Sequence, residues 1–503
     1  MKSITKNNIR TSFYPLWQQY NRYKAYLLRY PKSGNGFEAI SRAKMIEYNK
    51  VRIHGAKPIF CYNPFVNLFF NIYGNAIACC RSHTNVLGTY PNQSIKDIWF
   101  GGKINKMREH MIHNDLNMGC EYCKLQIESN RFHSLPSIHS EKFATDKHDV
   151  FPQILELELS NTCNLQCVMC SGRVSSSIRK HRENLPPIVS PYDDAFVDQL
   201  EEFIPHLKMI CFYGGEPFLI DLYYKILNLV IKINPAIKIY VVTNGTVFNQ
   251  KIANLLQSVY FMLSVSIDSL KPELFSQIRV GAKLDEVIEN FKKFQKLTNG
   301  NTIISHTPMR LNWDETPDII NFCTQHNVRV GLSYVEGPAK FALWSFMPDK
   351  LDEVYKFYQN VQFESTANHY TAIYNIQVFN EWKEQVKFFR DNNRNILLSY
   401  KDINQSFNNS LIQVQLFYKR LYEIIPNNCI TYEQAMSVID YLVIKKPRIP
   451  VHLDMLNNIV SDMEDIIKKG TVVKAKQVLK DTNSFTEYLQ QYLNEDLFWA
   501  KYY

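Results

Sequence analysis

A chain of 503 residues with 46% hydrophobic and 21% charged residues is long enough for two or three packed units, and no apolar run reaches the ~20 residues of a membrane-spanning helix. A net charge of +9, with Lys and Arg interleaved among Asp and Glu, is too dilute for the basic stripe of a nucleic-acid binder, so nucleic acid is not an expected partner. Eleven cysteines behind an N-terminus without the pattern of a secretory signal point to a cytoplasmic protein with reduced thiols, and clustered ones to metal binding.

Residues 1–55 are polar and aromatic, with helical spacing around Trp17, Tyr20, Tyr23, Tyr26 and Leu27, and read as a docking arm. The segment 56–130 carries Cys61, Cys79, Cys80, Cys120 and Cys123, with turn signals at Tyr73-Gly74-Asn75 and Tyr90-Pro91-Asn92; it reads as a small metal-supported module. A charged linker, 128–150, follows. From 150 to 345, strand patterns at 154–159, 208–213, 238–243, 261–267, 302–306 and 329–334 alternate with helix-length stretches such as 217–233 and 284–297. This succession predicts an α/β fold, a partial (β/α)6 TIM-like barrel with its chemistry on the loops at the C-terminal strand ends. From 346 to 503 helical patterns take over, at 351–361, 412–424 and 455–469, without recognisable catalytic residues.

Directly after the first of these strands comes Ser160-Asn161-Thr162-Cys163-Asn164-Leu165-Gln166-Cys167-Val168-Met169-Cys170. Its C-x3-C-x2-C spacing places three soft thiolates on one loop, a donor set suited to an iron–sulfur cluster or to zinc. Structural zinc takes four ligands and would need a distant fourth, such as His181. A cubane held by three thiolates keeps one iron open.

This loop and the elements after it resemble the radical S-adenosylmethionine superfamily over residues 150–345. The resemblance extends to Gly214-Gly215-Glu216-Pro217 after the second strand, Thr243-Asn244-Gly245 after the third, and Ser266-Ile267-Asp268-Ser269 with Arg279 after the fourth. It implies a [4Fe–4S] cluster on Cys163, Cys167 and Cys170 whose open iron takes S-adenosylmethionine. It further implies that Gly214, Gly215 and Glu216 hold the cofactor's amino group, that Asn244 belongs to the cofactor site, that Ser266 and Asp268 meet the ribose, and that Arg279 pairs with the cofactor carboxylate. These roles suit the side chains, since hydroxyl and carboxylate oxygens accept ribose hydrogen bonds and guanidinium forks onto carboxylate.

Ahead of the barrel, Cys61, then Gly74 and Cys79 with four residues between them, and the pair Cys120 and Cys123, resemble the auxiliary-cluster modules called Twitch and SPASM. Ser94-Ile95-Lys96-Asp97-Ile98-Trp99 adds to that likeness. The resemblance implies a second [4Fe–4S] cluster on Cys61, Cys79, Cys120 and Cys123, with Cys80 spare or replacing Cys79. Such modules commonly follow the barrel, whereas this one precedes it. A structural zinc on the same four thiolates is the alternative.

Glu156 and Glu158 alternate with Leu155, Leu157 and Leu159, so the leucines should meet the helices and the glutamates the lumen. There both are candidates to bind polar substrate or to act as bases, Glu158 being the candidate catalytic residue, or else to pair with a lumenal Lys or Arg. Cys211, Cys323 and Cys429 read as small packed hydrophobes, with Cys211, near Gly214, also a candidate hydrogen-atom donor. The expected activity is hydrogen abstraction from a peptide or protein side chain, fed by an electron donor such as flavodoxin or ferredoxin. A dehydrogenase or epimerase of a sugar-like small molecule and a zinc-stabilised binding scaffold are the alternatives.

Overall fold

In the computed structural model, Leu155, Leu157 and Leu159 are fully covered and join one hydrophobic core with the helices outside the barrel. The Asp221–Ile233 helix contributes Tyr223, Ile226, Leu227 and Val230, and the Leu284–Leu297 helix contributes Leu284, Val287, Phe291 and Phe294, both at helical spacing. The structure describes residues 37–398 apart from 133–134, 148–149, 336–340, 347 and 364–369. The aromatic spacing around Trp17, the segments 412–424 and 455–469, and Cys429 lie outside the described residues.

Among the described residues, nine strands form one sheet: β1 (Asn67–Phe70), β2 (Asn75–Ile77), β3 (Gly88–Thr89), β4 (Ile154–Leu157), β5 (Met209–Phe212), β6 (Lys238–Thr243), β7 (Phe261–Ser266), β8 (Thr302–His306) and β9 (Val330–Leu332). Their order is β3-β2-β1-β4-β5-β6-β7-β8-β9, with β4 to β9 all parallel, which is the expected open six-stranded barrel wall. β6 and β8 match their expected bounds; β4 and β7 end earlier, where the chain turns into the loops bearing Cys163 and Asp268, and β5 and β9 are shorter at both ends. Beyond the barrel the Pro348–Asn360 helix covers most of the expected 351–361 segment, and a long helix, Tyr370–Leu398, follows.

The N-terminal module, which precedes the barrel in the chain, shares its sheet. β1 pairs parallel with β4, in the register Asn67↔Ile154 to Phe70↔Leu157, and so extends the barrel sheet. All four residues of β1 are buried, so it shows no alternation to reveal it as a strand. The turn expected at Tyr73-Gly74-Asn75 joins β1 to antiparallel β2; Gly74 has φ +84°, and a Cβ there would lie 2.2 Å from the Tyr90 carbonyl oxygen. The module also reaches the other edge. The Tyr122 hydroxyl on the Glu121–Glu128 helix lies 3.5 Å from that of Tyr334, just past β9, and Arg131 hydrogen-bonds Gln385 and stacks over Phe388 on the long helix.

A buried network fastens this module to the chain before it. Arg52, at the end of the Arg42–Val51 helix, donates from Nε to Glu141 Oε1 at 2.7 Å and from its Nη groups to the carbonyls of Lys57, Ile59 and Phe60, immediately ahead of Cys61. Both side chains of the ion pair are wholly covered, and Tyr48 adds its hydroxyl to the same carboxylate. Removing one member of such a pair strands the other in low dielectric. Arg52→Ala should therefore lower unfolding free energy by about 3–5 kcal/mol, and unchanged denaturant midpoint and slope would show that the pair carries no stability.

Candidate active site

The loop bearing Cys163, Cys167 and Cys170 is held by backbone on both sides. Gln166 and Val168 donate their N–H groups to the carbonyls of Val280 and Ile278, each at 2.9 Å, which draws the loop onto the segment containing Arg279. On the other side Gly215 N donates to Ser160 O at 3.1 Å and Glu216 N to Thr162 O at 2.7 Å. Ser175 Oγ donates to Leu165 O and Asn161 Nδ2 to Gly172 O, closing the loop from below. The three cysteines then share the wall of a cavity of about 250 Å³ with Tyr213, Gly214, Gly215, Asn244, Ser266 and Arg279.

Most of the expected cofactor residues thus converge, but two of them stand behind the cavity wall. Glu216 is fully buried and accepts hydrogen bonds from Thr243 Oγ1 and Asn244 N, both at 2.7 Å, and from Phe218 N at 3.2 Å. It ties the glycine loop to the loop after β6 instead of offering its carboxylate to a ligand. Burial pushes its carboxyl up to about 7. Asp268, expected at the ribose, is also fully covered: its Oδ2 takes the Nε–H of Arg279 at 2.6 Å and its Oδ1 the Thr307 N–H at 2.8 Å. Asp268 therefore orients Arg279, whose Nη1 lies 3.9 Å from Cys167 Sγ. Burial opposes the charge of Arg279, but Asp268 and the sulfurs of Cys167 and Cys170 outweigh it and hold the guanidinium cationic.

The sulfurs themselves differ. The Cys167 thiol is pulled down to about 7, chiefly by a hydrogen bond from Cys170 and further by the Arg279 charge, whereas Cys170 rises with that bond and with burial, and Cys163 rises through burial. Three thiols on one loop, facing a cavity that also presents a guanidinium, fit a cluster bound through three thiolates with its remaining position open to that cavity.

In the lumen, Glu158 is not a free base: Arg173 forks onto it with Nη1–Oε2 3.0 Å and Nη2–Oε1 3.1 Å. Cys211 is buried on β5 two residues before Tyr213, and it is Tyr213 rather than Cys211 that lines the cavity. Burial holds the Cys211 thiol far above its ordinary range. Arg173 and Tyr213 escaped the sequence reading. The available signals were the position of Arg173 three residues past Cys170 and the period-two spacing of Tyr213 from Cys211.

In the N-terminal module Cys61, Cys79 and Cys123 are buried and Cys120 is half-buried, while Cys80 is exposed. Burial raises all four of the expected ligands, Cys61 and Cys79 to about 12, and both Cys120 and Cys123 are raised further by the charges of Cys61 and Cys79. Four thiols so enclosed and so coupled are costly as free thiolates and fit a cationic metal centre that neutralises them. Among the described residues, no group of three or more His, Cys, Asp or Glu side chains is arranged to hold a metal ion.

With an open parallel barrel and a three-cysteine loop at its mouth in place, residues 157–323 match the radical SAM superfamily. Residues 61–124 match SPASM, an iron–sulfur cluster-binding domain. The chain thus carries a radical SAM domain preceded by an auxiliary-cluster domain.

Among proteins of known name, the GTP 3',8-cyclase of Clostridium botulinum (strain Hall) is 25% identical over 186 residues, 37% of this chain and 57% of that protein. The probable GTP 3',8-cyclase of Methanocaldococcus jannaschii is 27% identical over 169 residues, 34% and 54% of the two chains. The chain spans little more than half the length of these relatives. Among solved structures, native anSMEcpe with bound AdoMet aligns with a TM-score of 0.32 at 20% identity, covering 41% of this chain and 58% of that one. SuiB of Streptococcus suis bound to S-adenosylmethionine aligns with a TM-score of 0.31 at 16% identity, covering 52% and 62%.

Two outcomes test this geometry. A Cβ at Gly215 would lie 2.1 Å from Thr162 O, so Gly215→Ala should push the cysteine loop away and lower the iron bound at that loop, read by iron assay and visible absorbance. Full iron content in Gly215→Ala would contradict the close packing. Second, His306 is fully buried with Nδ1 3.9 Å from Asp268 Oδ1 and without a hydrogen bond, and burial depresses it from 6.5 to about 4. The folded state then binds fewer protons than the unfolded state between those values. Its contribution is complete above pH 6.5 and falls by roughly 3 kcal/mol as pH drops toward 4. Melting curves of His306→Gln should lose that slope, and retention of the full wild-type slope would assign it elsewhere.

Proposed function

We propose that this chain reductively cleaves S-adenosylmethionine at the Cys163, Cys167 and Cys170 site and abstracts a hydrogen atom from a peptide or protein side chain, with the Cys61, Cys79, Cys120 and Cys123 site assisting electron transfer. The observation that carries this reading is the single cavity in which the three cysteines meet Gly214, Asn244, Ser266 and Arg279. When bound, a [4Fe–4S] cluster supplies the electron that breaks the cofactor's sulfur–carbon bond, through an iron left open by the three thiolates.

The chain's own groups do the rest. Arg279, locked by Asp268, presents a cation beside Cys167 suited to a carboxylate of the ligand. Ser266 and the Asn244 amide offer hydrogen-bonding groups on the same wall, although the Asn244 Nδ2 already donates to Asn164 Oδ1 at 3.0 Å. Gly214, at φ +101°, lines the cavity with backbone, and a Cβ there would lie 2.5 Å from the Ser160 carbonyl oxygen. Glu216 and Asp268 act as positioning residues. Cys211 and Glu158 keep the status of candidates within the lumen, the former not lining the cavity and the latter paired with Arg173. Resemblance to auxiliary-cluster enzymes supports the peptide substrate and an electron donor of the flavodoxin or ferredoxin kind; a cytoplasmic setting suits the reduced thiols. Among the described residues no helix is long and apolar enough to cross a membrane.

Anaerobic reconstitution should yield about eight irons per chain and, with dithionite and S-adenosylmethionine, 5′-deoxyadenosine by mass spectrometry. The variant carrying Cys163→Ala, Cys167→Ala and Cys170→Ala should retain about four irons and lose the product. Equal 5′-deoxyadenosine from both proteins would defeat the proposal.

A further inference from the structure

The barrel interior beneath the cysteine loop holds a carboxylate with no cationic partner among the described residues. Strand register sets Phe69, Glu156, Cys211 and Tyr240 in one rung across β1, β4, β5 and β6. Phe69 and Cys211 of this rung are buried, but the inward-facing Glu156, Tyr213 and Tyr240 are only partly covered, while the outward neighbours Leu155, Phe212 and Ile239 are buried. A packed barrel core would cover both sets, so this alternation marks an open chamber.

Within it the groups bearing on Glu156 are neutral. Its Oε1 accepts from Asn67 Nδ2 at 2.6 Å. The contrast with Glu158, neutralised by Arg173, is direct. Lys142 bears on Cys211, not on Glu156. An enclosed carboxylate without a counter-ion is costly, and the cost falls when a ligand brings a positive charge. Aromatic faces favour the same kind of ligand: the Tyr213 ring lies 6.3 Å from that of Phe69 in a stacked arrangement and 6.3 Å from that of Tyr240 edge-on. Tyr213 also lines the cavity of the three cysteines, so a group seated on Glu156 lies next to that site.

We propose that this chamber takes its substrate by a cationic nitrogen group, the ammonium of a lysine or the guanidinium of an arginine side chain, seated on Glu156 against the rings of Tyr213 and Tyr240. The proposal rests on the interior being the substrate chamber of the enzyme proposed above. Glu156 is a binding and specificity-determining residue here, and Tyr240 shapes the aromatic wall.

The test is binding, measured without turnover. Anaerobically reconstituted full-length protein is titrated with n-butylammonium, n-butylguanidinium and the neutral 1-butanol, followed by saturation-transfer NMR. One or both cations should bind at least about tenfold more tightly than the alcohol, the two arms separating lysine-like from arginine-like recognition. Glu156→Gln, checked for wild-type iron content and melting temperature, should abolish the preference; Tyr240→Leu should weaken cation binding severalfold. Equal affinity for cation and alcohol, no cation binding, or a preference that survives both substitutions would overturn the proposal. 5′-Deoxyadenosine is assayed on the same samples. Its formation without cation preference defeats this inference alone, and its absence with intact preference defeats the radical reading alone.

Discussion

The parallel pairing of β1 with β4 is the constraint on which the rest of the molecule depends. Four register pairs join the strands, and Gln153 N to Val66 O and Glu158 N to Phe70 O, both 2.8 Å, continue the pairing past each end. The strand that leads into the three-cysteine loop is thereby fixed to the hairpin that leads to Cys79. Asn67 makes the link specific: its amide donates both to Glu156 and, at 3.0 Å, to the carbonyl of Ala78, the residue before Cys79. A slip of one residue would turn Asn67 and Phe69 away from the lumen and break both bonds. An N-terminal position in the chain is thus compatible with a place in the same sheet as the barrel strands.

From this frame the active site is assembled mainly by backbone. The cysteine loop is held between the glycine loop after β5 and the segment 278–280, and the acidic side chains that look like ligands in the sequence serve as braces. Glu216 joins two loops, and Asp268 aims Arg279 at the sulfurs. The division follows from burial: a carboxylate at the floor of a loop is stable only where N–H and O–H groups or a guanidinium surround it, and those partners occupy it. Groups on the wall, Ser266 and Arg279 among them, keep a face toward the cavity.

The barrel was legible in the sequence because its strands alternate with amphipathic helices, and β6 and β8 were bounded correctly. The cysteine spacing and the order of the loop motifs named the site, since they are local in the chain. What escaped was non-local. β1 is four buried residues without period, so its partner could not be read from pattern, and the Arg52–Glu141 pair spans 89 positions. The pairing of Glu158 was left open between a base and an ion pair, and the structure supplies Arg173 as the partner. Cys211 was placed near the chemistry by its distance in sequence to Gly214, and in the structure it is Tyr213, two residues on, that lines the cavity.

The central claim is that Cys163, Cys167 and Cys170 bind a cluster whose open iron faces the cavity lined by Arg279 and Ser266. Electron–nuclear double resonance on the reduced protein, with S-adenosylmethionine isotopically labelled at its amino nitrogen and carboxylate oxygen, tests it most directly. The account predicts coupling of both labelled atoms to the cluster, lost when the three cysteines are replaced and retained when the four N-terminal cysteines are replaced. Absence of coupling in the wild-type protein, or coupling that disappears only with the N-terminal cysteines, would contradict it.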